Sequence, residues 1–339
     1  MKSYNIKTLG KKGRLWRLGT LIGLLSLALL LVVGLLTACP EDSNGTNGTN
    51  GPSPLPPAFP LTVTDQAGRL VTIEAEPQKI ISLAPSNTEI VYALGLEDRL
   101  VGVTTYCDYP EAALDKPEVG GFNTVDIEQV VAIQPDLILA TDIHTAEVVP
   151  GLESLGLTVL VLDPRNLDEV LESIELVGKC TGQLDEAYQL IIEMEDRIKA
   201  VTDKTEGLTA EQRLSAFYIM WHEPLMTVGS DTRIYELIQL AGGIPVPPDL
   251  GEGYPMIGLE VLIAANPEVI IAGSGMGEGA DLPYQFALTE SRLAGVDARI
   301  NNRVYEVNTD LVGRPGPRMV DGLEQLARMI HPEIFGSIE

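Results

Sequence analysis

The side chains best suited to chemistry in this sequence are aromatic and polar groups that fall in loops: Tyr106, Tyr109, Phe122 and His144 in the first half, and Trp221, His222, Tyr254 and Arg314 in the second. Aromatic faces, a guanidinium and ring nitrogens stack on and hydrogen-bond a large organic ligand, and they need no reaction to do so. The whole chain holds only two Trp, ten Tyr and five Phe in 339 residues, so their gathering in loops is informative. Packing of each ring on its own part of the chain remains the alternative at this stage. No catalytic set emerges. Gly275-Met276-Gly277-Glu278-Gly279-Ala280 satisfies a relaxed dinucleotide fingerprint, but Asp281-Leu282-Pro283 follows where a helix should start, so a glycine-rich cleft loop is expected. No Gly-x-Ser-x-Gly elbow and no Walker loop is present, and Asp108 and Glu111 read as solvated loop carboxylates.

Cys107 and Cys180 follow a first cysteine at Cys39. In an oxidising compartment the two form a candidate disulfide, although spacing does not bring their Cα atoms within reach. His144, His222 and His331 stand far apart, with no His-x-x-His or Cys-x-x-Cys, so no metal site of the chain's own is expected.

The elements that must position these groups read as strands alternating with helices. Apolar runs at Lys79 to Leu83, Leu100 to Val103, Asp136 to Ala140 and Thr158 to Leu162 are buried strands, and Ile127 to Ile133 is a helix. Ser86 or Asn87 is a candidate cap for a helix through Gly95, and Asn166 with Glu169 has capping-box spacing for a helix ending near Gly178. This order predicts an α/β fold with mainly parallel sheets flanked by helices. Gln183 to Lys204 contains neither Gly nor Pro and sets Leu184, Ala187, Leu190, Ile191, Met194, Ile198 and Val201 on one stripe. As a helix it is about 33 Å long, a spacer between two lobes.

The second half repeats the first. Ser86-Asn87-Thr88-Glu89-Ile90 is answered by Ser230-Asp231-Thr232-Arg233-Ile234, and the run from Ile127 to Ala140 by the run from Leu259 to Ala272, five of whose fourteen positions are identical. Two matches in the same order argue for duplicated lobes.

The chain begins with six basic residues and no acidic one, then runs apolar from Leu18 to Leu36 and reaches Thr37-Ala38-Cys39. That is a secretory leader whose end matches the bacterial lipobox, with Cys39 the lipid acceptor. An Asn/Gly/Thr and Pro-rich tether follows. The expected organisation is leader 1–38, tether 39–58, N-terminal lobe 59–182, connecting helix 183–205 and C-terminal lobe 206–339, held outside the cytoplasm by the lipid. Losing the leader's six basic residues takes the net charge from −25 to −31, which repels nucleic acid.

Several stretches resemble a known family. Asp65-Gln66-Ala67-Gly68-Arg69, Ser86-Asn87-Thr88-Glu89, Thr105-Tyr106-Cys107-Asp108-Tyr109-Pro110, Gly120-Gly121-Phe122-Asn123 and Pro135-Asp136-Leu137-Ile138 are similar to the substrate-binding proteins of ABC importers for iron-siderophores, haem and cobalamin, from about Phe59 to Phe335. The resemblance implies a periplasmic-binding-protein-like fold of two lobes joined by one long helix, with the ligand in a shallow cleft and only small closure. It also implies no enzymatic activity and no cofactor besides the transported ligand; the partner is an ABC permease dimer with its ATPase, served by a monomer. The Tyr-Cys-Asp-Tyr-Pro stretch and the run Tyr254 to Glu260 are most similar to the cobalamin binders. By that similarity Tyr106 and Tyr254 contact a corrin from opposite lobes, with Trp221 and Arg314 near the cleft. The tryptophan of such binders before the Gly-x-Asn stretch is missing, since Val119 and Phe122 stand there. Haem or a ferric siderophore is the alternative ligand, with Tyr106, His144 and His222 as candidate axial groups, and an extracellular hydrolase is the alternative from another class, for which no nucleophile and base stand together in the sequence. Glu128 and Glu260, the glutamate kept in the long repeat, match the acids by which the family docks on arginines of its permease.

Overall fold

Strand residues in this chain divide their side chains between two faces with period two, and both halves do so alike. The computed structural model describes residues 58–275 and 281–337; the leader, Cys39 and nearly all of the tether lie outside the described residues. The N-terminal half contains β1 (Leu61–Thr64), β2 (Leu70–Ile73), β3 (Ile80–Ser82), α1 (Pro85–Ala93), β4 (Leu100–Val103), α2 (Ile127–Ile133), β5 (Leu137–Ala140), α3 (Val148–Ser154), β6 (Val159–Val161) and α4 (Leu167–Thr181). After α5 (Leu184–Thr205) come β7 (Ser215–Ile219), β8 (Trp221–His222), β9 (Leu225–Met226), α6 (Arg233–Leu240), β10 (Ile244–Pro245), α7 (Leu259–Ala265) and β11 (Val269–Ser274). The chain ends with α8 (Leu282–Thr289), α9 (Asp297–Ile300), β12 (Val304–Asn308), α10 (Thr309–Gly313), α11 (Met319–Ile330) and α12 (Pro332–Phe335).

The first sheet has the order β4-β3-β5-β6 and the second β10-β7-β11-β12, parallel throughout. Taken in chain order within each half, the two sequences of strands are the same, so the duplication extends to topology. Ile80, Leu137, Leu139 and Leu160 point into one apolar cluster while Ile81, Ile138, Ala140, Val159 and Val161 point into another. Ala216, Tyr218, Val269 and Ile271 enter that same first cluster, whereas Phe217, Ile219, Ile270 and Ala272 form a third. Alternation in a pleated strand requires this division. One core therefore runs unbroken through both halves, filled by α4, α5, α6 and α11.

Local chemistry explains most element ends. Asn166 accepts the Glu169 N–H (2.8 Å) and starts α4 as expected. Gly178 is not its end: a Cβ there would lie 2.4 Å from that of Ala187, so glycine permits the close approach of α4 to α5. The helix α5 is more than a spacer, because Arg197 on it binds Asp321 (2.5 Å) and Glu324 (2.9 Å) of α11. Asp65 is buried in the β1–β2 turn, where its Oδ2 accepts from Arg69 Nε (2.9 Å) and Nη2 (2.6 Å) and from the Val161 N–H (3.1 Å), which ties the hairpin to β6.

Four expectations need correction. Ser86 and Asn87 do not cap α1; Pro85 begins it, its fixed φ and missing N–H suiting the first turn, and both residues are buried inside the helix. In the second half α6 begins only at Arg233, where the Thr232 hydroxyl accepts the Tyr235 N–H as its cap; the Ser86/Ser230 match is one of sequence, not of helix position. Helix α8 does start at Leu282, with Pro283 in the first turn where no N–H partner is needed. Cys107 and Cys180 form no disulfide: both are free and buried, Cys107 against the Thr104 hydroxyl and Cys180 within α4, where burial pushes its thiol up to about 12.

Candidate functional site

Parallel strands present their carboxyl ends and the following loops to ligands, and here these loops from both halves meet around one cleft of about 800 Å³, toward the upper end for small-molecule sites. The N-terminal half contributes the start of α1, Thr105, Tyr106, Asp108 and Phe122 after β4, Thr141 and Asp142 after β5, and Asp163, Pro164 and Arg165 after β6. The C-terminal half contributes Arg233, Gly275 after β11, and Asp310, Gly313, Arg314 and Pro315 after β12.

Of the residues singled out in the sequence, Tyr106, Phe122 and Arg314 line this cleft. Tyr106 is 62% exposed, so its ring face is free for contact. Arg314 pairs with Asp310 (2.9 Å), with Asp108 from the other half (2.5 Å), and more loosely with Glu89 (3.7 Å). That hydrogen bond holds the Asp108 carboxyl below its usual range, so Asp108, half-exposed as its loop context suggests, is also tied to the other half.

His144 is corrected from a ligand contact to a positioning residue. It is only 1% exposed; the Thr141 N–H donates to its Nδ1 (3.0 Å), which leaves Nε2 protonated and donating to the Phe122 carbonyl (2.8 Å). Burial keeps it below the usual imidazole range, and its ring supports Phe122 edge-on at 5.5 Å. Trp221, His222 and Tyr254 lie outside the cleft volume of about 800 Å³, on the adjoining segment. The reason is the β8–β9 hairpin, in which Trp221 Nε1–H donates to the Glu223 carbonyl (3.1 Å) and His222 lies between Trp221 and Phe286. Tyr254 follows on the segment bridged to that hairpin at Met226 and Met256.

Sequence reasoning missed Arg165, Arg233, Asp142, Asp163 and Asp310. Their shared signal is position at or beside a strand-to-helix turn: Arg165 precedes the cap Asn166, and Arg233 follows the cap Thr232. Arg165 pairs with Asp163. Arg233 crosses to the Pro164 carbonyl (2.8 Å), with its Nε buried and unpartnered. Burial raises the carboxyls of Asp163 and Asp310. Deeper between the halves, Glu89 takes a bidentate hold from Arg318 (2.6 and 3.0 Å), whose guanidinium lies 3.7 Å from the centre of the Tyr109 ring. Carboxylates and guanidinium groups in the lining nearly balance, unlike the strongly acidic chain around them.

A model of the periplasmic binding protein family matches residues 80–311. The chain belongs to that family. This periplasmic binding protein is 34% identical over 317 residues, 91% of its length and 96% of the relative's, to the uncharacterized ABC transporter substrate-binding lipoprotein YvrC of Bacillus subtilis. Among solved structures it is similar to the periplasmic vitamin B12 binding protein BtuF of Vibrio cholerae, at TM-score 0.65 and 28% identity, over 75% of this chain and 97% of that one. A periplasmic heme binding protein of Pseudomonas aeruginosa matches at TM-score 0.66 and 26% identity, over 76% and 93%. The periplasmic binding protein is accordingly a substrate-binding component of an ABC importer, working outside the cytoplasm with a permease and its ATPase. The two-lobed α/β architecture read from the sequence is that of its structural neighbours.

Proposed function

We propose that this protein captures a cobalamin or related corrinoid in the cleft and delivers it to its importer. The observation that carries the reading is the lining: two aromatic rings, Tyr106 and Phe122, beside carboxylates already paired with Arg165 and Arg314. Such a surface offers stacking and many hydrogen bonds with little net charge, which suits a large macrocycle rimmed by neutral amides better than a highly charged chelate. The likeness to the vitamin B12 binding protein supports it. A haem reading draws on the exposed phenol of Tyr106, but His144 has both ring nitrogens engaged and is no axial ligand. Titration of the protein lacking its first 39 residues with cyanocobalamin, haemin and ferric siderophores decides between them. Tight binding of haemin or a siderophore, with none of cobalamin, overturns the corrinoid assignment.

The same reading includes a monomer anchored by lipid at Cys39, which labelled palmitate should mark and Cys39→Ser should leave unmarked. Glu128 and Glu260, both exposed and both second in their helices α2 and α7, are the acids that dock on the permease. Charge reversal at both should abolish transport and leave ligand affinity intact.

A further inference from the structure

The long repeat conserves more than a glutamate. In α2 and α7 the solvent pattern is nearly the same position by position: Val130 and Leu262 are buried, Ile133 and Ala265 half-buried, and Pro135 and Pro267 buried just beyond. Both helices end on a left-handed residue, Gln134 (φ 55°) and Asn266 (φ 41°). On the outward side of each, a large branched apolar residue stands in water at the same place, Val131 and Ile263, each 38% exposed. Each lies three residues after the glutamate and one before an exposed alanine, so that Glu128, Val131 and Ala132 share one helix face, as do Glu260, Ile263 and Ala264. A single exposed valine or isoleucine is ordinary, and neither is a preferred residue for an exposed helix position. Retention of both at equivalent positions, in copies that share only five of fourteen residues, calls for a common cause.

We infer that each lobe presents a composite docking patch, an acid with a branched apolar side chain one turn on, to a basic, apolar-rimmed site on each of two transmembrane subunits. This rests on the docking reading of Glu128 and Glu260 and adds the apolar half of the contact. Charge decides the occupant: a carboxylate beside an apolar knob, on a chain of net charge −25, favours a cationic protein surface over anionic lipid headgroups. Duplicated patches fit a pair of like subunits. The patches also differ in one respect. Val261 stands where the first lobe has Gln129, and with Pro247, Ala264 and Ala265 it forms a shallow apolar dish of about 450 Å³ against Glu260. The dish has room for more than one apolar side chain of the partner, and the first lobe has Gln129 there instead, so the two lobes are not interchangeable on the transporter.

The test uses the full chain in its producing cells. A photo-crosslinking p-benzoylphenylalanine is placed at the position of Val131, of Ile263 or of Gln129, with the exposed Ile192 of α5 as control. Adducts from 131 and 263 with the transmembrane subunit of an ABC importer, and none from 192, are expected. The complex so identified is then purified, and the V131S/I263S pair and, separately, Ala264→Trp in the dish are expected each to weaken its affinity about tenfold, the scale for losing a few apolar interface contacts. Melting temperature and ligand affinity should be unchanged, because all three positions are exposed. Adducts from 129 but not from 131 or 263, or wild-type affinity in the serine pair while E128Q/E260Q loses it, would sink the apolar contact and leave acid docking standing. Absence of adducts at every position, or adducts with lipid alone, would sink the docking reading itself.

Discussion

Replacing Arg318 by Met tests how the two halves are held together. Glu89 keeps only 2% of its side chain in contact with solvent and Arg318 16%, and both Arg318 nitrogens engaged in the pair reach the carboxylate. Removing one partner of a buried pair costs ~3–5 kcal/mol, and the partial exposure of Arg318 argues for the lower end. Loss of the guanidinium over Tyr109 adds ~0.5–1 kcal/mol, while Met retains part of the aliphatic stem. A total near 3–4 kcal/mol corresponds to a fall of about 10 °C in melting temperature for a chain of this size. The loss should depend on pH. Burial already raises Glu89 above its ordinary 4.5, and the Arg318 hydrogen bond opposes the rise. Without Arg318 the native carboxyl binds its proton more tightly still than the unfolded one does. Stability then declines as pH rises from the unfolded value through the native value, and it is regained on acidification. Thermal melts of the variant should therefore show a smaller deficit at pH 5 than at pH 7.5, and E89Q/R318M should be more stable at pH 7.5 than R318M alone. A deficit under ~1 kcal/mol, or one equal at both pH values with no recovery in the double variant, would refute the idea of an uncompensated buried charge.

Other consequences are simpler to check. A thiol reagent should label neither Cys107 nor Cys180 in the native protein and both after unfolding, with no effect of reductant on the melt, since both are buried and unbonded. Asn166→Ala removes the cap of α4 and should cost ~1 kcal/mol, read by denaturant midpoint at unchanged slope. Tyr106→Ala should weaken ligand binding by roughly tenfold or more, with the melt unchanged, because the ring is exposed in the cleft. His144→Ala frees the Thr141 N–H and the Phe122 carbonyl and should both destabilise the fold by ~1–3 kcal/mol and weaken binding through Phe122.

Where a signal is local, the sequence carries it. The apolar buried strands, the Asn166 cap, the stripe of α5 and the paired Glu128 and Glu260 helices depend on residues within a turn or two of one another, and the structure reproduces them. The cleft is legible only in part, because its charges act across the halves. Asp108 is half-exposed as its loop suggests, but nothing near it in sequence announces its pairing with Arg314, more than two hundred residues away. Arg165 and Arg233 look like ordinary loop cations until both sheets are built and their strand-to-helix turns converge. His144 looks like a ligand because a lone imidazole after a strand is suggestive; its actual partner is the Thr141 N–H, exposed by the turn that follows β5. The setting of Trp221 and His222 is hidden for a related reason: two-residue strands such as β8 and β9 are too short for any periodicity to announce.

The unbroken core that joins the two sheets has a consequence for how cargo leaves. Parting the halves widely would bring apolar surface along α4, α5, α6 and α11 into water, at ~25 cal/mol for each Å² exposed. A core shared in this way resists wide parting of the halves, so the shape of the mouth is set largely by the fold itself. That resistance also makes spontaneous wide opening a poor exit route. An exit that needs the mouth widened would then draw on work from outside the receptor, which the ATPase of an ABC importer can supply.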